Sequence, residues 1–123
     1  MKLRVKGNSI RLRLTKTEIA NFGEQWVIEE KTEFPNAVFF QYTLQGKTGI
    51  DELEAEFSEN KITVFVPINI LQQWTTTDIV GFENKIDMGG GKQLFLLIEK
   101  DFVCLDSTFE DQSDNYPNPN AVS

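Results

Sequence analysis

The apolar residues of this chain follow one pattern that returns at an interval of fifty-two positions. A shift by that interval aligns Phe22 with Trp74 and Leu44 with Leu96, and the apolar positions between them stay in phase. They do so through strand-like, helix-like and again strand-like stretches, and chance rarely preserves a phase over so many changes of period. The pattern predicts an internal duplication, which restricts the fold far more than it restricts the function.

Size and composition predict one cytoplasmic domain. The chain has 123 residues, of which 40% are apolar and ten are phenylalanine, so it can bury a core of its own. No apolar run approaches the roughly 20 residues of a membrane span. Residues 1–6 are followed by alternating residues and not by the apolar block of a secretory signal. The single cysteine, Cys104, has no partner for an internal disulfide.

Charge is distributed unevenly along the chain. The net charge is -7, yet six of the twelve basic residues, including every arginine, precede the first acidic residue, Glu18. From Asp101 onward there are five acidic residues and no basic one. The chain therefore has a basic beginning and an acidic end, and either can contact a partner of opposite charge.

Each half carries the signals of two strands, one short helix and two further strands. Apolar and basic residues alternate over residues 2–6 and 9–14 around a Gly-Asn break, which predicts a β-hairpin. Thr15 and Glu18 have the spacing of a capping box, and Gly23 is expected to end the helix that follows. The other predicted strands cover residues 26–34, 37–44, 50–57, 61–66, 79–86 and 93–99. A second short helix is predicted after Pro67, and a hairpin turn at residues 88–91.

The run KGNSIRLRLTKTEI at residues 6–19 resembles the opening of MazE-type antitoxins and AbrB-type regulators. Residues 61–66, followed by Pro67, resemble the strand-Pro-helix segment of the same superfamily. The whole chain also resembles a small family of uncharacterised bacterial proteins, with a similar opening and a similar ending at residues 99–119. In the MazE and AbrB superfamily, two chains interleave their hairpins into one barrel.

The resemblance implies a mostly β, α+β fold: a small pseudo-two-fold swapped-hairpin β-barrel with two short helices. Residues 1–100 would form this single duplicated barrel domain, with halves of about 1–49 and 50–100. Residues 101–123 would form an acidic C-terminal extension.

In AbrB-like proteins the basic hairpin contacts DNA. Five positions of this chain match that hairpin, and we call them the basic face: Arg4, Lys6, Asn8, Arg11 and Arg13. Several cations on one strand face can neutralise phosphates. The same shift that reveals the repeat aligns Lys2 and Arg4 with Glu54 and Glu56 of the second half, so DNA binding is expected to be weak and indifferent to sequence. The alternatives are a protein or acidic ligand, or an ordinary solvated strand face.

The acidic extension is a second candidate contact. MazE-type antitoxins use an acidic C-terminal segment to cover a basic groove on a toxin, and this extension likewise combines apolar anchors with carboxylates. The candidate partner-binding residues are Phe102, Leu105, Asp106, Phe109, Glu110 and Asp111. The alternative is that the apolar members dock on the chain's own barrel while the carboxylates face water.

These features favour a non-enzymatic binding or regulatory module without a cofactor. A protein partner or self-association is expected in preference to nucleic acid. The alternative from another class is a metal-dependent enzyme or metal-binding protein that uses the carboxylates of the extension. Its candidate ligands are Cys104, Asp106, Glu110, Asp111 and Asp114. The chain has no histidine, and the spacing of these residues matches no calcium loop.

Overall fold

The computed structural model describes residues 1–101 of the chain. This part contains eight strands and two helices, so the predicted mostly β, α+β class is confirmed. The strands are β1 (Lys2–Lys6), β2 (Ser9–Leu14), β3 (Val27–Phe34), β4 (Val38–Lys47), β5 (Glu54–Ser58), β6 (Lys61–Pro67), β7 (Gly81–Gly89) and β8 (Lys92–Lys100). The helices are α1 (Lys16–Gln25), which follows β2, and α2 (Ile68–Thr76), which follows β6.

The strands form two four-stranded sheets. Sheet A has the order β1-β2-β8-β7, and sheet B has the order β3-β4-β6-β5. Each sheet thus combines one hairpin from each half of the chain. The two hairpins join through a parallel pair, β2 with β8 in sheet A and β4 with β6 in sheet B. The resemblance implies one swapped-hairpin barrel, whereas strand pairing within residues 1–101 gives two separate sheets.

The elements of the two halves recur at two slightly different intervals. β5 and α2 follow β1 and α1 at the interval of fifty-two positions seen in the sequence. β7 follows β3, and β8 follows β4, at an interval that is two positions longer. Leu44 pairs with Val64 in sheet B, and the pair at the same place in sheet A is Leu12 with Ile98. The alignment of Leu44 with Leu96 is therefore wrong by two positions. It remained in phase because side chains alternate with a period of two along a strand.

The core lies between the inner faces of the two sheets and the two helices. Its buried members include matching positions of both halves, such as Phe22 and Trp74, which are each 0% exposed. Their rings meet edge to face, with centroids 6.1 Å apart and planes at 75°. The other buried apolar residues are Leu12, Leu14, Ile19, Leu44, Leu53, Val64, Val66, Leu71, Leu96 and Ile98.

Helix α1 begins as the sequence predicts and ends later. The backbone N–H of Glu18 donates to the Thr15 hydroxyl, and the backbone N–H of Thr15 donates to the Glu18 carboxylate, so the capping box is confirmed. The prediction that Gly23 ends the helix is wrong. Trp26 ends it instead, with a left-handed φ of 65°. A Cβ atom on Gly23 would lie 3.0 Å from the Thr75 hydroxyl, so this glycine permits close packing of α1 against α2.

Candidate charged contact surface

The β1–β2 hairpin places the basic face on the outer side of sheet A. Leu12 and Leu14 of β2 are buried in the core, so the alternating residues Arg11 and Arg13 point away from it. Arg4 of β1 lies directly opposite Arg11 in the antiparallel register. The cations of two adjacent strands therefore share one surface.

Two arginines of the basic face are paired with a carboxylate of β8. The Arg13 guanidinium donates to Glu99 Oε1 from Nε at 3.0 Å and from Nη2 at 2.8 Å. The Nε atom of Arg11 lies 3.6 Å from the same oxygen. Glu99 is opposite Arg13 because β8 runs parallel to β2. One carboxylate thus offsets part of the positive charge at this end of the face.

Asp101 adds a second carboxylate at the same end. Its side chain is only 1% exposed, and its Oδ2 lies 3.3 Å from the Lys2 ammonium. Its Oδ1 lies 3.9 Å from Nη1 of Arg13. The backbone N–H of Asp101 donates to the Leu14 carbonyl, which fixes the last described residue beside the basic face. The acidic extension therefore starts next to the cations.

The other end of the basic face is less neutralised. Arg4 and Lys6 are exposed and have no ion pair within residues 1–101. Asn8 plays a structural part, because its side-chain amide donates to the Gln93 carbonyl and its own carbonyl accepts from the Phe95 N–H. Asn8 therefore holds the β1–β2 turn against β8. The cations most available to a partner are Arg4 and Lys6.

The corresponding surface of sheet B has a different chemistry. Glu54 and Glu56 occupy the outward positions of β5, so Glu56 stands where sheet A has Arg4. Thr63 stands where sheet A has Arg11, and it is 3% exposed. The basic face has no counterpart at these positions. The charged contact surface of the described chain is one-sided.

A separate polar cluster surrounds the Met1 ammonium where β1 approaches β3. The ammonium donates to the carboxylates of Glu18 and Glu30, and the Tyr42 hydroxyl donates to the Met1 carbonyl at 3.1 Å. Burial alone would lower the pKa of the ammonium, but its bonds to Glu18 and Glu30 outweigh this effect and raise the pKa.

The carboxyl and phenol of this cluster are shifted in opposite directions. Burial alone would raise the pKa of Glu18, but hydrogen bonds from the Met1 ammonium and the Thr15 N–H lower it below its usual range. Burial raises the pKa of Tyr42, and the nearby charges of Glu30 and Glu18 raise it further. The charged forms of Met1 and Glu18 are thus both favoured by folding.

The extension residues proposed as contacts or metal ligands lie outside the described residues, as does Cys104. Within residues 1–101, no three His, Cys, Asp or Glu side chains lie close enough together to hold a metal ion. No helix in this part of the chain is long and apolar enough to cross a membrane.

The sequence did not predict which carboxylates pair with the cations of the basic face. Glu99 ends the predicted strand 93–99, and no local signal shows that β8 will lie parallel to β2 and so bring Glu99 to Arg13. The available signal is compositional, because Glu99 lies just before the acidic extension and Asp101 is its first residue. Glu18 was recognised as a capping residue, but its contact with the Met1 ammonium was not.

The fold and the surface together define a small, mostly β domain with two four-stranded sheets and a one-sided charged face. A protein-family model matches residues 1–120, and the chain belongs to that family, which is a family of unknown function (DUF7009). Searches of curated proteins and of solved structures found no match.

Proposed function

We propose that this protein is a non-enzymatic binding or regulatory module whose contact surface is the basic face of sheet A. The observation that carries the proposal is the exposure of Arg4 and Lys6, which lack ion pairs within residues 1–101. Arg11 and Arg13 beside them are held by Glu99 and stay 34% and 27% exposed. Two available cations next to two oriented guanidinium groups suit a carboxylate-bearing partner.

An acidic protein segment suits this surface better than nucleic acid does. A two-fold DNA site needs two basic hairpins, and the matching strand of sheet B carries Glu54 and Glu56. Those carboxylates and the net charge of -7 repel phosphate. Binding to DNA should therefore be weak, sensitive to salt and indifferent to sequence. Nanomolar, sequence-selective binding at physiological salt would contradict this part of the proposal.

The strand order supports descent from a duplicated, hairpin-exchanging unit like that of the AbrB and MazE superfamily. Each sheet takes one hairpin from each half, joined by a parallel pair at the same place. A contact between the edges of the two sheets also recurs, once within each half of the chain. The Met1 ammonium meets Glu30 on one side, and the Leu53 carbonyl accepts from the Asn84 amide on the other. Leu53 follows Met1 by the same interval as β5 follows β1, and Asn84 follows Glu30 by the same interval as β7 follows β3.

The acidic extension is the proposed second contact of the module. Its apolar and acidic residues named above follow directly from Asp101, whose carboxylate already meets Lys2 and Arg13. Such a segment can contact the basic face of its own chain, that of another copy, or a partner. In each case the contact is between unlike charges and should weaken as salt is raised.

The test is binding of a fluorescent glutamate-rich peptide with phenylalanine anchors, measured by anisotropy at low and high salt. Arg4→Glu/Lys6→Glu should weaken binding by about tenfold, because two attractive contacts become repulsive. The matched control is Lys85→Glu/Lys92→Glu, which changes the net charge equally at exposed positions on β7 and β8. The control should bind within about twofold of the native chain. Equal losses in both variants, or no binding by the native chain at low salt, would overturn the proposal.

A further inference from the structure

Strand β1 is one edge of sheet A, and strand β5 is one edge of sheet B. Within residues 1–101, β1 pairs only with β2, and β5 pairs only with β6. Each strand therefore leaves one row of backbone N–H and C=O groups available to another strand. A cleft of about 610 Å³ lies beside the start of β5, between residues 49–55 and residues 84–87 of β7.

The outward side chains of these two edges have opposite charge. Those of β1 are all basic, and those of β5 include two acids and no base: Lys2, Arg4 and Lys6 against Glu54, Glu56 and Ser58. The other two edge strands are mixed, because β3 presents Glu29, Lys31 and Glu33, and β7 presents Glu83, Lys85 and Asp87. Like charges oppose the pairing of β1 with β1 or of β5 with β5. Among the edges of the described sheets, only the pairing of β1 with β5 joins strands of uniform, opposite sign.

The inward sides of the same two edges are apolar, and each carries one exposed residue. Val5 of β1 is 56% exposed, and Phe57 of β5 is 68% exposed. An antiparallel alignment that sets Arg4 opposite Glu56 also sets Lys6 opposite Glu54 on the outer side, and it sets Leu3 opposite Phe57 and Val5 opposite Ala55 on the inner side. One register thus satisfies both faces of the new strand pair.

We infer that this chain self-associates head to tail, with β1 of one copy extending sheet B of the next copy through β5. The two surfaces differ, so the contact is heterologous and leaves one free edge of each kind at the ends of a chain of copies. The strands have five residues each, so the interface is small and association is weak and dependent on concentration. The inference does not require the acidic partner of the proposed function, although Arg4 belongs to both surfaces.

A charge-swap experiment on Arg4 and Glu56 tests the interface. Neither residue has an ion pair within residues 1–101, so reversal should leave the internal structure intact, which circular dichroism checks. The weight-average mass of the native chain, measured by sedimentation equilibrium, should rise with concentration and fall with added salt. Arg4→Glu and Glu56→Lys should each weaken self-association by about threefold to tenfold.

The two reversed variants should then repair each other. In an equimolar mixture, the unchanged Arg4 of the Glu56→Lys variant meets the unchanged Glu56 of the Arg4→Glu variant. The contact in the other sense joins the two substituted positions, which again carry opposite charges, so association should return towards the native value. The double variant Arg4→Glu/Glu56→Lys should recover for the same reason.

A charge swap on the β7 edge, Glu83→Lys/Lys85→Glu, is the control for these variants and should behave like the native chain. Two results would overturn the inference. One is a native chain that stays monomeric at low salt and high concentration. The other is a pair of reversed variants that associate as strongly as the native chain does.

The peptide assay separates this inference from the proposed function. Glu56→Lys should weaken self-association and bind the acidic peptide at least as well as the native chain does. A monomeric native chain that binds the peptide contradicts the edge pairing alone. A chain that self-associates with the charge-swap behaviour but does not bind the peptide contradicts the proposed function alone.

Discussion

Sheets A and B share one architecture and differ in surface charge. Both join two antiparallel hairpins through a central parallel pair, and the apolar pair Leu12 with Ile98 in sheet A matches Val64 with Leu44 in sheet B. On the outer side, Arg4 in sheet A is matched by Glu56 in sheet B. Burial constrains the inner face because a misplaced polar group costs free energy there, whereas charge on the outer face is nearly free to change. Because the two sheets differ on their outer faces, we place the proposed contact on the outer face of sheet A.

The two places where the edges of the sheets approach each other also differ in charge. On one side, the Met1 ammonium is held by two carboxylates. On the other side, the Leu53 carbonyl accepts from Asn84 at 2.9 Å, and Leu53 is buried. One edge contact depends on ionisation and the other does not. Of these two contacts, only the first should make the stability of the fold depend on pH.

The largest expected effect comes from the shared core, where the two halves should be equally sensitive. Phe22→Ala and Trp74→Ala each remove one ring of the edge-to-face pair and leave a cavity between α1, α2 and the sheets. Each substitution should lower the free energy of unfolding by about 3–5 kcal/mol. Urea denaturation measures this loss. A cost below about 1 kcal/mol for either variant would show that the helices do not share one core.

A smaller effect is expected at the ionic edge contact. Because folding lowers the pKa of Glu18, its contacts stabilise the fold above the usual glutamate pKa, and this stability is lost as the pH falls through the lowered value. Because folding raises the pKa of the Met1 ammonium, its contribution is present below the usual amine pKa and is lost as the pH rises through the raised value. Glu18→Gln should therefore cost about 1–2 kcal/mol near neutral pH and flatten the acid limb of the stability profile.

Thr15→Ala is the matched control for this prediction. It removes the hydroxyl that accepts from the Glu18 N–H but leaves the carboxylate with the Met1 ammonium. It should cost about 1 kcal/mol near neutral pH and keep most of the acid limb of the native chain, because the Thr15 hydroxyl is the smallest of the causes that lower the pKa of Glu18. Urea denaturation across the pH range compares the three proteins. An acid limb in Glu18→Gln as steep as that of the native chain would assign the pH dependence to other groups.

The smallest effect on stability, but a measurable one on binding, is expected at Glu99. Glu99→Gln removes the carboxylate charge shared by Arg11 and Arg13 and should change the free energy of unfolding by no more than about 1 kcal/mol. Affinity for the acidic peptide should rise by about twofold to fivefold, because the basic face loses its internal competitor. Glu83→Gln changes the net charge equally on the same sheet and should leave the affinity unchanged. An equal rise in both variants would mean that only net charge matters.

The sequence predicted the local elements well because their causes are local. Three features depend only on neighbours along the chain, and each is found where expected: the alternation of residues 2–6 and 9–14, the capping box at Thr15 and the short helix after Pro67. The repeat also identified Phe22 and Trp74 as matching core positions. Side chains alternate with a period of two along a strand, so a shift of two residues leaves the apolar pattern in phase. The additional residues between α2 and β7 were therefore not visible in the repeat, and the later strands were aligned two positions early.

Features that arise from contacts between distant segments could not be predicted. The parallel pairing of β2 with β8 decides that Glu99 meets Arg13, and no local pattern encodes that choice. The same holds for Gly23, whose role is set by Thr75 on the other helix and not by the end of its own helix. For the candidate site, the sequence identified the cations, but it could not show which of them are paired.

The most direct test of the one-sided surface is a nuclear magnetic resonance titration of the 123-residue chain with the acidic peptide. Amide chemical shifts should change, in a salt-dependent way, along the β1–β2 hairpin at residues 2–14, and most strongly near Arg4 and Lys6. The matching hairpin at residues 54–67 should not respond, because Glu54 and Glu56 repel the same peptide. Shifts concentrated on residues 54–67, or spread evenly over both hairpins, would contradict the assignment of the contact surface to the basic face of sheet A.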